Sequence, residues 1–170
     1  MKPISMGGRK LLLTLHIIFS AIMLGGSVAF FIFSLVAAST HDMSILEACY
    51  RAMHLLSDTS MRASTIGTVI TGVLLSVWTH WGLFRYYWIV AKELLTLVTI
   101  ATGLYGMYVL SLRGLTMMHE GVGLVAGAAF ETNRLYLMTG IVIQLVSLVA
   151  MMALSVYKPW GKRKAAVSAK

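Results

Sequence analysis

At 170 residues, with 58% hydrophobic and 12% charged side chains, the chain is too apolar for a soluble domain of its size. Its formal charge of +8 gathers at the ends of apolar runs, a distribution that argues against nucleic-acid binding and for adhesion to anionic lipid. A single cysteine, Cys49, excludes an internal disulfide and any thiolate cluster for zinc or iron–sulfur centres.

The first apolar run covers about residues 11–39, more than the roughly 18–20 residues that an α-helix needs to cross the hydrocarbon core. Arg9 and Lys10 precede it as they would a signal peptide. The run is about twice the length of a signal core and lacks a small-residue cleavage pattern, so it reads as a retained helix. Ile45, Leu46, Cys49, Met53 and Leu56 then follow helical spacing, which predicts a short amphipathic outer helix over about 44–56. That helix either lies on the surface or extends the second span.

The second span covers about residues 62–84. A tight hairpin between His80 and Tyr87 leads to the third, about 88–112, with Trp81, Phe84, Tyr86, Tyr87 and Trp88 as an interfacial aromatic belt. Between Gly114 and Asn133, the glycines Gly121, Gly123 and Gly127 leave a surface and a re-entrant segment equally open. The fourth span covers about 135–157.

These elements predict an all-α fold: a single integral-membrane domain over residues 1–170, built as a four-helix up-down bundle. Nine basic residues (Lys2, Arg9, Lys10, Arg85, Lys158, Lys162, Arg163, Lys164 and Lys170) flank the ends near the termini and the second loop, against four (Arg51, Arg62, Arg113, Arg134) at the other ends. That bias places both termini in the cytoplasm. The acidic Asp42, Glu47, Asp58, Glu120 and Glu131 fall on the outer side. The expected partners are the lipid bilayer and a second copy or a redox or transport protein, with no nucleic acid.

Helical periodicity gives each span a small, polar stripe: His16, Ser20, Ser27 and Ser34; Thr65, Thr68, Gly72, Ser76 and His80; Lys92, Thr96, Thr99, Gly103 and Gly106; Gly140, Gln144, Ser147, Met151 and Ser155. Membrane helices pack through such stripes, so the four are expected to line one interior. On this reading Lys92 points inward and Glu93, on the face of Leu97 and Ile100, sits toward lipid near the interface or against an amphipathic partner. Ionisable residues inside apolar runs are candidate functional groups. His16, His80 and Lys92 come out at one depth, roughly 6–8 Å from the cytoplasmic boundary at about 1.5 Å per residue.

Two imidazoles at one level on neighbouring helices offer the axial nitrogens of a haem b, with Lys92 as a fixed cation for an anionic group. The bland alternatives are a histidine bonded to a stripe hydroxyl and a lysine that snorkels to the headgroups. A rival site lies on the outer side. Met117, Met118 and His119, with His54, bring thioether and imidazole groups that suit copper, although they follow no fixed ligand spacing.

The stretch from His16 to the Gly25-Gly26 pair resembles the first-helix signature of CopD-type membrane proteins. The run Trp88-Ile-Val-Ala-Lys92-Glu-Leu-Leu resembles their later helix with a lysine just inside the membrane. The same pattern is found in HemJ-type protoporphyrinogen oxidases and in a related family of uncharacterised integral membrane proteins of similar length. The resemblance implies a bacterial inner (plasma) membrane location, and by analogy with HemJ it ties His16 and Lys92 to haem binding; His80 has no counterpart in the pattern. Met23 stands where CopD proteins often carry tryptophan, and the Pro-Arg sequence of HemJ is absent, which argues against a porphyrinogen oxidase. Three readings follow: a haem b protein for redox relay, sensing or haem handling; a CopD-type transporter of copper or a small ligand; and a non-catalytic membrane subunit without cofactor.

Overall fold

A computed structural model describes residues 5–78, 82–121 and 127–161. Helix α1 spans Met6–Ser39 and starts at Ser5, whose hydroxyl accepts the Gly8 amide at 3.2 Å, satisfying one of the donors a helix start leaves open. Helix α2, Met43–Leu56, passes through a π-helical stretch, Ser57–Met61, into α3, Arg62–Trp78, so the amphipathic segment extends the second span. Below α3, Gly82 adopts φ 65°, a left-handed turn position that glycine takes without steric cost.

Helix α4, Tyr87–Ala101, likewise runs through a π-helical stretch, Thr102–Val109, into α5, Leu110–Glu120. The third apolar helix thus reaches well into the segment after Gly114. Helix α6 covers Ala128–Tyr157. The described residues therefore form four helices long and apolar enough to cross a membrane: 6–39, 43–78, 87–120 and 128–157. The second of these, 36 residues, is about 54 Å long and overshoots a hydrocarbon core of about 30 Å. Exposed Ile17, Ile70, Leu97 and Val146 give the bundle an apolar exterior.

Contacts pair α1 with α3 in opposite chain directions: His16 meets Thr71, Met23 meets Thr65, and Gly26 lies against Met61. The α4–α5 helix pairs with α6 in the same way, through Thr96 and Met151, Thr102 and Gln144, and Asn133 and the Leu110 carbonyl. At Gly106 and Gly140 a Cβ on Gly140 would lie 3.3 Å from the Gly106 Cα, so the backbones cross where neither residue carries a side chain. Helix α1 also packs on α6, and α2 on α5, but α3 and α4 barely touch.

The result is a ring of helices that closes in the half holding α2 and α5, here the upper half, while in the lower half α3 and α4 make few close backbone approaches among the described residues. The buried apolar cluster follows that division. Phe30, Tyr50, Met53, Met107, Leu110, Phe130, Leu137 and Ile141 are nearly or fully buried members, and neither α3 nor α4 contributes a residue to it.

Candidate functional site

In the lower half His16 is held from one side. Its Nδ1 lies 2.9 Å from the Thr71 hydroxyl. Thr71 owns one hydroxyl proton, which donates back to the Gly67 carbonyl at 2.6 Å, with the Thr68 carbonyl at 3.2 Å. Towards His16 the threonine can therefore only accept, so Nδ1 carries the proton and Nε2 keeps its lone pair. A histidine whose Nδ1–H is anchored this way has the tautomer and fixed ring that metal-bound imidazoles share.

Gly72 makes that ring position available. A Cβ there would sit 3.2 Å from His16 Cε1, so any larger residue would press on the ring. Lys92, one turn into α4, interacts electrostatically with His16. Its Nζ also sits 6.0 Å over the ring of Trp88, at the outer limit for a cation–π contact. The Thr68 hydroxyl, on the same helix one turn before Gly72, is a buried polar oxygen without a hydrogen-bond partner. An imidazole with a free nitrogen and, one turn from its threonine partner, a buried orphan hydroxyl thus lie on α1 and α3, with an ammonium on α4 in electrostatic range. Such a set suits a ligand that combines a coordinating centre with an anionic edge.

His80 lies outside the described residues. Glu93 takes the packed of its two expected positions: the residue is half-buried and its Oε1 is buried without a hydrogen-bond partner.

The upper-half candidates are separated. His54 Nδ1 lies 3.4 Å from the Ser111 hydroxyl, with its ring 5.1 Å from that of Tyr108. His119 is exposed beside Arg51 and Glu47, at 3.4 and 3.9 Å. Met117 and Met118 pack against the buried apolar cluster, a filling role that suits flexible thioethers. Among the described residues, no group of three or more His, Cys, Asp or Glu side chains could hold a metal ion.

Two site residues escape the stripe reading. Thr71 lies beside the stripe through Thr68 and Gly72, yet Ser64, Thr68, Thr71 and Leu75 follow a 4-3-4 spacing that would have included it. Thr102 stands where Gly103 is expected, and bonds the buried Gln144 amide oxygen. Thr102 and Gly103 follow Thr99 at i+3 and i+4, so both belong to the face of that stripe.

No family model, curated protein or solved structure matches this chain.

Proposed function

We propose that the lower half of the bundle is a membrane-embedded haem b site whose iron His16 would hold through Nε2. The observation that carries this reading is the His16–Thr71 pair, because a threonine whose proton is on the Gly67 carbonyl accepts from Nδ1 and leaves Nε2 its lone pair. Lys92 holds a carboxylate of the ligand at the same level, and Thr68 offers its unused hydroxyl. His80 is the proposed second axial ligand. When bound, the group would supply one-electron or ligand-sensing chemistry; the protein's own residues orient it and exclude water.

On this reading the chain crosses a bacterial inner membrane in up-down order, with both termini cytoplasmic. The charge bias of the sequence supports that orientation, and it sets the lower half on the cytoplasmic side. Lys92 then lies near the cytoplasmic headgroups, where the carboxylate edge of a haem is best solvated.

Purified protein supplemented with haem is expected to show a Soret band of six- or five-coordinate haem b. His16→Ala removes or shifts that band, whereas Lys92→Gln keeps it and weakens haem affinity by about tenfold or more, the effect of losing one charge-assisted contact. A wild-type preparation that stays colourless after haem addition overturns the reading.

A further inference from the structure

A folded bundle leaves few buried polar atoms unpaired, because each one gives up its bonds to water on folding. Two side chains of the upper half depart from that rule. Tyr50, on α2, is fully buried, and its hydroxyl has no hydrogen-bond partner among the described residues. Asn133, on α6, is 1% exposed, and its Oδ1 has none either. The Asn133 Nδ2 donates to the Leu110 carbonyl of α5 at 3.0 Å, which sets the amide's orientation and leaves Oδ1 as an acceptor in want of a proton.

Both orphans belong to one place. The Tyr50 ring lies over Gly114, one turn beyond Leu110 on α5, and its centroid is 5.6 Å from that of Phe130, one turn before Asn133 on α6. Tyr50 and Asn133 thus come close enough to interact, yet outside hydrogen-bonding geometry. Neither is free to shift and close the pair. The ring is seated on the bare α5 backbone at Gly114, where even a methyl group would overlap it, and Asn133 is tethered to Leu110. A third body has to satisfy them. Phe130 and Leu110 beside them are nearly fully buried and apolar, so that body is small and uncharged and can both accept and donate.

We propose that Tyr50 and Asn133 hold one buried water molecule at the junction of α2, α5 and α6. The phenol donates to the water, and the water donates to Asn133 Oδ1. One molecule then satisfies both orphans, within the range of about two to four polar partners that retained buried waters have. The site ties three helices together through polar contacts in the otherwise apolar upper half, apart from the haem site proposed for the lower half.

The test uses the full chain in lipid. In a crystal structure that shows ordered water, one peak is expected about 2.8 Å from both Tyr50 Oη and Asn133 Oδ1. Tyr50→Phe keeps the ring and removes the donor, so the peak should lose most of its occupancy. A direct Tyr50–Asn133 hydrogen bond without a peak overturns the proposal, as does a peak that survives Tyr50→Phe undiminished. A second measurement needs no variant: solid-state NMR reads the magnetisation passed from water to buried side-chain amides. The Asn133 amide should receive it several times faster than that of Gln144, which is also 1% exposed but whose oxygen is bonded by Thr102. Equal rates at the two amides overturn the water site.

Discussion

In the upper half, the Tyr50 ring of α2 lies directly over Gly114 of α5 and 5.6 Å from the Phe130 ring of α6, so three helices meet with no space for another methyl group. In the lower half, the continuations of the first two, α3 and α4, make few close backbone approaches, and the polar groups there include His16, Thr68, Thr71 and Lys92. One pair of helices thus packs tightly at one end and separates at the other. Both helices pass through a π-helical stretch between the two regimes, and those stretches lie against each other. Each adds a residue to the local turn, which lets one helix present different faces to different neighbours above and below. The buried apolar cluster is thereby concentrated in the upper half, with no member from α3 or α4.

The largest expected effect tests the closed end. A Cβ on Gly114 would overlap the Tyr50 ring, and Tyr50 is fully buried and has nowhere to retreat. Gly114→Ala is therefore expected to destabilise the protein by about 3 kcal/mol, the upper range for overpacking a filled core. Gly103→Ala is the matched control, since a Cβ there meets nothing within 4 Å. It should be neutral to within about 1 kcal/mol, because alanine also favours the helix. Equal losses in thermal unfolding of the two variants would erase the distinction between a packed and an open environment.

At the open end, Thr71→Val keeps the shape of the side chain and removes the oxygen that accepts from His16 Nδ1. Haem affinity in a Soret titration should fall about 10- to 100-fold, as when an outer hydrogen-bond partner of a ligating histidine is lost. Thermal stability should change much less than in Gly114→Ala. Thr71→Ser restores the acceptor and should restore the affinity. Unchanged affinity in the valine variant would mean that Nδ1 is not the anchored nitrogen.

The four apolar helices were legible because long apolar runs have few other uses. The stripes were legible because small and polar residues recur with helical period; Ser27, Ser34, Thr99, Gln144 and Ser147 are indeed buried. Two physical effects hid the rest. Thr102 and Gly103 follow Thr99 at i+3 and i+4, so helical period alone does not choose between them, and only the tertiary contact with Gln144 singles out Thr102. The separation of α3 from α4 is a tertiary property: each helix is amphipathic on its own, and nothing local says which neighbour it will decline.

The smallest effect asks whether the closed end depends on its polar surface as well as its core. Asp42 caps α2: its carboxylate accepts from the Ser44 amide at 2.8 Å and from the Ser44 hydroxyl at 2.5 Å. Those bonds, with the Ile45 amide, hold its carboxyl below the usual aspartate range. A depressed folded value means that the cap contributes above the ordinary aspartate pKa, near about 4, and that its contribution is lost as the pH falls through the lower folded value. Amide exchange at Ser44 and Ile45 should therefore quicken below about pH 4, relative to the intrinsic rate, and Asp42→Ala should show the same quickening at neutral pH. Because the group is fully exposed, the packing of Tyr50 against Gly114 should persist in both cases, with exchange in α5 unchanged. Loss of protection throughout α2 and α5 on removing this one cap would show that the upper half is held by its edge, and that the contrast between a self-sufficient packed end and an open one is drawn in the wrong place.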